Sequence, residues 1–180
     1  MKPSHLALLR GVNVGPAKRI AMADLRAVIA SLGYGDAKTL LNSGNVVFSA
    51  SPTKARNASE RIEKALITQL GLSCRVTVLS ADEVVSIVRD NPLLGVADNP
   101  SKLFVSVLAS AKEVVRLDPI RALNWEPDVL AVGERVAYMW CASGMIESRL
   151  ATAAARLLGD AVTTRNWATM LKVHALLTTE

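Results

Sequence analysis

The sequence predicts an α+β protein built from two tandem βαββαβ units, and three observations carry that expectation. Apolar residues switch between strand-like runs and helical spacing in the order β-α-β-β-α-β over residues 1–80. The same order starts again near residue 100. At Asn42-Ser43-Gly44 and at Gly133-Glu134, successive strand-like runs stand so close together that they must turn back as hairpins. This order is that of the split-βαβ, ferredoxin-like unit. A single continuous sheet shared by both halves is the alternative arrangement.

The elements follow in sequence. "HLALLRGV" is a short apolar first strand, and Met22, Leu25, Val28, Ile29 and Leu32 then recur at helical spacing until Gly33 supplies a stop. "AKTLL" and "NVVFSA" form the first hairpin. After Ser51-Pro52, Ile62, Ala65, Leu66 and Leu70 mark a second amphipathic helix ended by Gly71, and "CRVTVLS" closes the unit. A linking helix carries Val84, Ile87 and Val88 on one face and ends at Asn91-Pro92. "KLFVSVL" opens the second unit, and Ala111 to Leu123 is helical with an interruption at Asp118-Pro119. "DVLAV" and "RVAYMWC" pair through Gly133-Glu134. "CASGMIES" places Ser143 and Gly144 as a cap before a helix marked by Ile146, Leu150, Ala153, Ala154, Leu157 and Leu158. After the strand "AVTTR", Asn166 caps a last helix with Trp167, Met170, Leu171, His174 and Leu177 on one face. The expected domains are residues 1–80, a linking helix and loop over 81–99, and a second unit with the C-terminal helix over 100–180.

Length and composition restrict the function classes. A chain of 180 residues, 51% hydrophobic, buries about 70% of its unfolded surface. No apolar run approaches the roughly 20 residues that a membrane-spanning helix needs, and the N-terminal residues lack the pattern of a signal peptide. Cys74 and Cys141 both fall in apparent strands and read as reduced core thiols of a cytoplasmic protein. The net charge of +5 is uneven. Residues 1–80 hold 11 Lys/Arg against 4 Asp/Glu, whereas residues 81–180 hold 10 against 12. A basic half suits an anionic partner.

Topology gives that charge a place. In a split-βαβ unit the first two strands run in the same direction, with the third antiparallel between them. Three connections then share one end of the sheet, at Arg10 to Gly15, Asn42 to Asn45 and Gly71 to Ser73. Arg10, Asn13, Ser43 and Asn45 are expected to become neighbours there. Lys18, Arg19 and Arg165 are possible outer charges. Gly11 and Gly15 allow positive φ, a helix starting near Ala21 adds partial positive charge, and an Arg can grip phosphate or carboxylate bidentately. The other reading is that both glycines only shape the connection while Asn13 hydrogen-bonds its own backbone.

Chemistry-bearing motifs are otherwise sparse. "LLRGVNVG" is neither a Walker A string nor G-x-G-x-x-G, so no cofactor is implied. His5, His174, Cys74 and Cys141 have no metal-ligand spacing, so no metal is expected. There is no G-x-S-x-G elbow and no carboxylate pair in the glycine-containing loops. Few aromatics, and no RNP1 pattern in "LFVSV", make a base-stacking surface a poor fit.

The strings "LLRGVNVG", "IAMADLRAVIASLGYGDAKTLLNSGNVVFSA", "NPLL" and "TTRNWATMLKVHALL" resemble the domain-of-unknown-function family 1697 of small bacterial α/β proteins. The resemblance runs from Leu8 to Leu177. It implies a fold consistent with tandem ferredoxin-like units and brings no catalytic residues. The sequence departs from the family at Leu40 to Asn42, where an aromatic and a glutamine are usual, and at "MWCASGMIESRL", which is less polar. The expected function is therefore binding of a small phosphate- or carboxylate-bearing ligand at the loop-rich end of the first unit. Weak sequence-independent nucleic-acid binding by the basic half, or a protein-interaction module using an open sheet face or edge, are the alternatives. No residue set assigns an enzymatic reaction.

Overall fold

A computed structural model describes residues 3–179. The chain divides into two compact units, Met1–Ser86 with Lys172–Glu180, and Ile87–Leu171. The first contains β1 (Ser4–Leu9), α1 (Met22–Ser31), β2 (Gly35–Leu40), β3 (Asn45–Ser49), α2 (Pro52–Ala55), α3 (Ala58–Leu70) and β4 (Val76–Ser80). Helix α4 (Ala81–Arg89) leads out of it. The second contains β5 (Leu103–Leu108), a 3₁₀ segment (Ala111–Leu117), α5 (Asp118–Arg121), β6 (Val129–Val132), β7 (Val136–Trp140), α6 (Arg149–Leu158) and β8 (Val162–Asn166), and α7 (Trp167–Thr178) follows. The protein is α+β, with two separate four-stranded antiparallel sheets in the orders β2-β3-β1-β4 and β6-β7-β5-β8. Among the described residues, no helix is long and apolar enough to cross a membrane.

Each core follows from alternation. On β1 and β3, Ala7, Leu9, Val46 and Phe48 point to the face covered by Leu25, Val28 and Ile29 of α1 and by Ile62, Ala65 and Leu66 of α3. The intervening Leu6, Leu8 and Val47 are buried as well, so these central strands read as continuous apolar runs. In the second unit, Leu108, Ala137 and Met139 pack with Leu150, Ala151, Ala154 and Leu158 of α6. Gly71 ends α3 in the left-handed conformation, where its N–H and that of Leu72 reach back to the carbonyls of Ile67 and Leu66.

Several local expectations change. The helix opened by Ser51-Pro52 is two pieces, α2 and α3, broken at Arg56-Asn57. The cap of α6 is Ser148, not Ser143 or Gly144. Its Oγ accepts from Ala151 N at 2.9 Å and donates to Asp128 Oδ2 at 2.6 Å. Ile146 therefore precedes the helix, and it is 92% exposed. On α7 the buried apolar positions are Trp167, Met170, Val173 and Leu177, with Thr169 buried beside them, whereas Leu171 is 40% exposed. Asn166 does cap that helix, its Oδ1 accepting from Thr169 N at 2.9 Å.

Candidate functional site

The β1–α1 connection is closed by Asn13. Its backbone lies in the left-handed region at φ 56°, which asparagine tolerates better than most residues. Its N–H donates to Lys18 O at 2.7 Å. Its Oδ1 accepts from Ile20 N at 2.9 Å, while Nδ2 donates to Ile20 O at 3.0 Å and to Asn42 O at 2.7 Å. One amide thus holds residues 13–20 as a closed loop and fastens that loop to the β2–β3 turn.

The turn is seated with equal closeness. Leu9 N donates to Gly44 O at 2.8 Å. A Cβ on Gly44 would stand 2.6 Å from Val12 Cγ2 and 2.7 Å from Leu9 Cβ, at a φ of +75°. Below the turn lies Asn45, 0% exposed, whose Nδ2 donates to Leu40 O and to Ser43 Oγ, each at 2.9 Å. Asn45 supports the turn from inside rather than facing solvent, and half-buried Ser43 sits above it.

The third connection arrives through Arg75. Arg10 N donates to Arg75 O at 2.9 Å, continuing the β1–β4 register after Leu9↔Val76, so the two arginines stand opposite each other. The Arg75 guanidinium lies 3.4 Å from Glu63 Oε2, an exposed pair of small energetic weight. Glu63 Oε1 also accepts from Val76 N at 2.8 Å. Burial pushes the neighbouring Cys74 thiol up to about 11, with the Lys18 ammonium opposing and the Glu63 carboxylate assisting. Arg10, Asn13, Lys18, Ser43 and Asn45 therefore gather at one end of the first sheet, and Arg19 lies exposed on the same loop. Arg165 belongs to β8 in the second unit. It donates to Thr164 O at 2.9 Å, and burial pulls its guanidinium down to about 10.

Arg75 was hidden in the sequence because "CRVTVLS" reads as strand throughout. Its backbone pairing identifies it, and so does the second unit, which repeats the junction with other side chains. There Leu108 N donates to Arg135 O at 3.0 Å and Ala109 N to Ala161 O at 2.8 Å, as Leu9 and Arg10 do to Gly44 and Arg75. The positions of Arg10 and Arg75 are thus held by Ala109 and Ala161. Arg135, at the position of Gly44, turns its guanidinium onto the carbonyls of Leu108 and Ala109 at 2.9 and 3.0 Å. Two equivalent backbone junctions thus carry different side chains, two arginines paired across the strands in one, and two alanines beside an arginine folded onto main chain in the other. Among the described residues, no three His, Cys, Asp or Glu side chains are grouped to hold a metal ion.

A family model described as a protein of unknown function, DUF1697, matches residues 2–138. The chain is also similar to the solved structure of a conserved bacterial protein, SP0830, from Streptococcus pneumoniae. The TM-score is 0.80 at 20% identity, covering 98% of this chain and 99% of that one. That likeness concerns the fold. No curated protein matches the chain.

Proposed function

The chain belongs to the DUF1697 family of proteins of unknown function, and from that premise we propose that it binds a small anionic ligand, bearing phosphate or carboxylate, at the loop-rich end of its first unit. Arg10, Lys18 and Arg19 supply charge, Arg75 joins them across the β1–β4 pair, and Ser43 offers a hydroxyl on the turn. Asn13 and Asn45 shape the cradle through the backbone they hold. The observation that carries this reading is the junction itself. Cations from two connections stand beside a turn that Asn13 fastens in place, whereas the matching junction of the second unit has alanine at both arginine positions.

The strand order β2-β3-β1-β4, antiparallel throughout, supports taking each unit as a ferredoxin-like split-βαβ fold. Cys74 and Cys141, both buried and unbridged, support a cytoplasmic setting. Sequence-independent nucleic-acid binding is a second reading, favoured by the excess of Lys and Arg in the first 80 residues. The aromatics of that unit argue against it, because Tyr34 and Phe48 are both buried and leave no stacking surface.

A thermal-shift screen against inorganic phosphate, phosphorylated metabolites, nucleotides and carboxylic acids tests the proposal, since a ligand at 100 times its Kd stabilises by about 2.7 kcal/mol. Arg10→Ala is expected to weaken a hit about tenfold or more, the loss of a charged hydrogen bond of about 1.5–3 kcal/mol, while leaving the melting temperature near that of the parent. A sharp fall in melting temperature instead makes Arg10 structural and removes the site. Affinity for oligonucleotides that collapses between about 50 and 200 mM salt would favour the second reading.

A further inference from the structure

A separate concavity lies in the second unit and uses none of the residues above. Trp125 faces a stripe of α6 formed by Arg149, Thr152, Ala153 and Arg156, with Glu147 at the rim, around a groove of about 310 Å³. The spacing explains the shape. Residues 149, 152, 153 and 156 follow the i, i+3, i+4, i+7 pattern of one helical face, and a methyl group at Ala153 leaves room between two long cationic side chains.

Three of the six polar side chains lining the groove have partners. Trp125 Nε1 donates to Ile120 O at 2.9 Å, which fixes the ring. Thr152 Oγ1 donates to Ser148 O at 3.0 Å. The start of α6 is capped by Ser148 Oγ, so the helix terminus is not what an occupant would use. Among the described residues, Arg149, Arg156 and Glu147 have neither a hydrogen-bond nor an ion-pair partner. The groove thus offers an aromatic ring of fixed orientation, an apolar methyl floor and two uncommitted guanidinium groups borne on helix positions about 10 Å apart along the axis.

We infer that this groove binds a small planar aromatic anion, its ring against Trp125 and its phosphate or carboxylate on Arg156. The volume stands at the lower edge of small-molecule sites and suits a single ring system with one acidic group. Offset stacking on an indole favours a flat ring, and a guanidinium matches phosphate or carboxylate bidentately. Arg156 takes the anion because Glu147, two residues before Arg149, places a like charge at the other end.

Tryptophan fluorescence reads this site, because Trp140 and Trp167 are buried at 8% and 6% exposure whereas Trp125 lines the groove. The full chain is titrated with adenosine monophosphate and with naphthoate. Adenosine serves as the ring without charge and inorganic phosphate as the charge without a ring. Saturable quenching by at least one ring acid is expected, with adenosine and phosphate about tenfold weaker or worse, the loss that follows when a charge-assisted contact is missing. Which acid binds distinguishes a nucleotide from an aryl acid. Arg156→Ala should weaken quenching about tenfold or more, Glu147→Gln should tighten it by removing the like charge, and Lys112→Ala, at an exposed position of the 3₁₀ segment that does not line the groove, should leave it as in the parent. Glu147→Gln keeps the test decisive should Arg156→Ala fail to fold. Absence of quenching by both acids, equal quenching by adenosine, or indifference to Glu147→Gln would overturn the inference. Arg10→Ala should not alter the quenching, so this site and the first-unit site stand or fall separately.

Discussion

Asn13 and Asn42, 29 residues apart in the chain, are joined by a 2.7 Å hydrogen bond from the Asn13 side chain to the Asn42 carbonyl. The same amide closes its own loop through Ile20. A loop that would otherwise lie free at the end of β1 is thereby given one shape and one neighbour, the β2–β3 turn. The asparagine of "RGVNVG" is thus explained by main-chain satisfaction.

Removing that amide should loosen the junction. Asn13→Ala deletes three side-chain hydrogen bonds and leaves an alanine at positive φ. At about 0.5–1.5 kcal/mol per bond, partly offset by water at this half-exposed site, a loss of about 2–3 kcal/mol in urea-unfolding stability is expected. Asn13→Gly relieves the backbone strain but not the lost bonds, so it should fall between Ala and the parent. An Ala variant within about 0.5 kcal/mol of the parent, the range of ordinary surface changes, would show that the loop does not depend on its clamp.

Two glycines of the same junction should respond unequally to alanine. Gly11 and Gly44 share positive φ, +67° and +75°, but a Cβ on Gly11 meets nothing within 4 Å whereas one on Gly44 meets Val12 and Leu9 at 2.6 and 2.7 Å. Gly11→Ala should lose about 1–2 kcal/mol from backbone conformation alone. Gly44→Ala adds overpacking of about 1–3 kcal/mol and should lower the melting temperature further. Equal melting temperatures for the two variants would mean that the turn does not bear on β1 as described.

The buried thiols should make stability fall in alkali. Burial pushes Cys74 up to about 11 from its ordinary 9.0, and it raises Cys141 too. A thiol is neutral when protonated, so above pH 9 the unfolded chain loses these protons while the folded chain keeps them. Their stabilising contribution is whole below that pH and is lost as pH rises toward 11. Arg165, pulled down to about 10, acts in the opposite sense above that value, so the interval from 9 to 10 is the cleanest to measure. Urea unfolding across it should show a decline that Cys74→Ala with Cys141→Ala flattens. Rapid maleimide labelling of the native chain near pH 7 would contradict the burial on which this rests.

Much of the architecture was legible because its causes are local. Alternation along "HLALL" and "NVVFS", and the stop at Gly71, depend on residues within one turn or one strand of each other. The clustering of Arg10, Asn13 and Ser43 was legible too, because the order of elements already implies which connections share an end. Ile146 and Leu171 were misplaced for the complementary reason. Each sits at a spacing that suits a buried helical face, but burial depends on what lies opposite, and there solvent does. Ser143 yielded to Ser148 as a cap because Asp128, 20 residues away, accepts the Ser148 hydroxyl and orients it.

By itself the sequence determined the order and type of the elements, the basic character of the first half and the turn chemistry at Asn13 and Gly44. Only the tertiary structure decided which polar side chains serve the fold and which face outward. Asn45 is sealed beneath its turn, Arg75 stands opposite Arg10, and Trp125 faces the arginine stripe of α6. The physical reason is range. Periodicity and backbone preference act over a few residues, whereas the partner of an amide, a carboxylate or a guanidinium is set by chain segments that approach only after the sheet has closed.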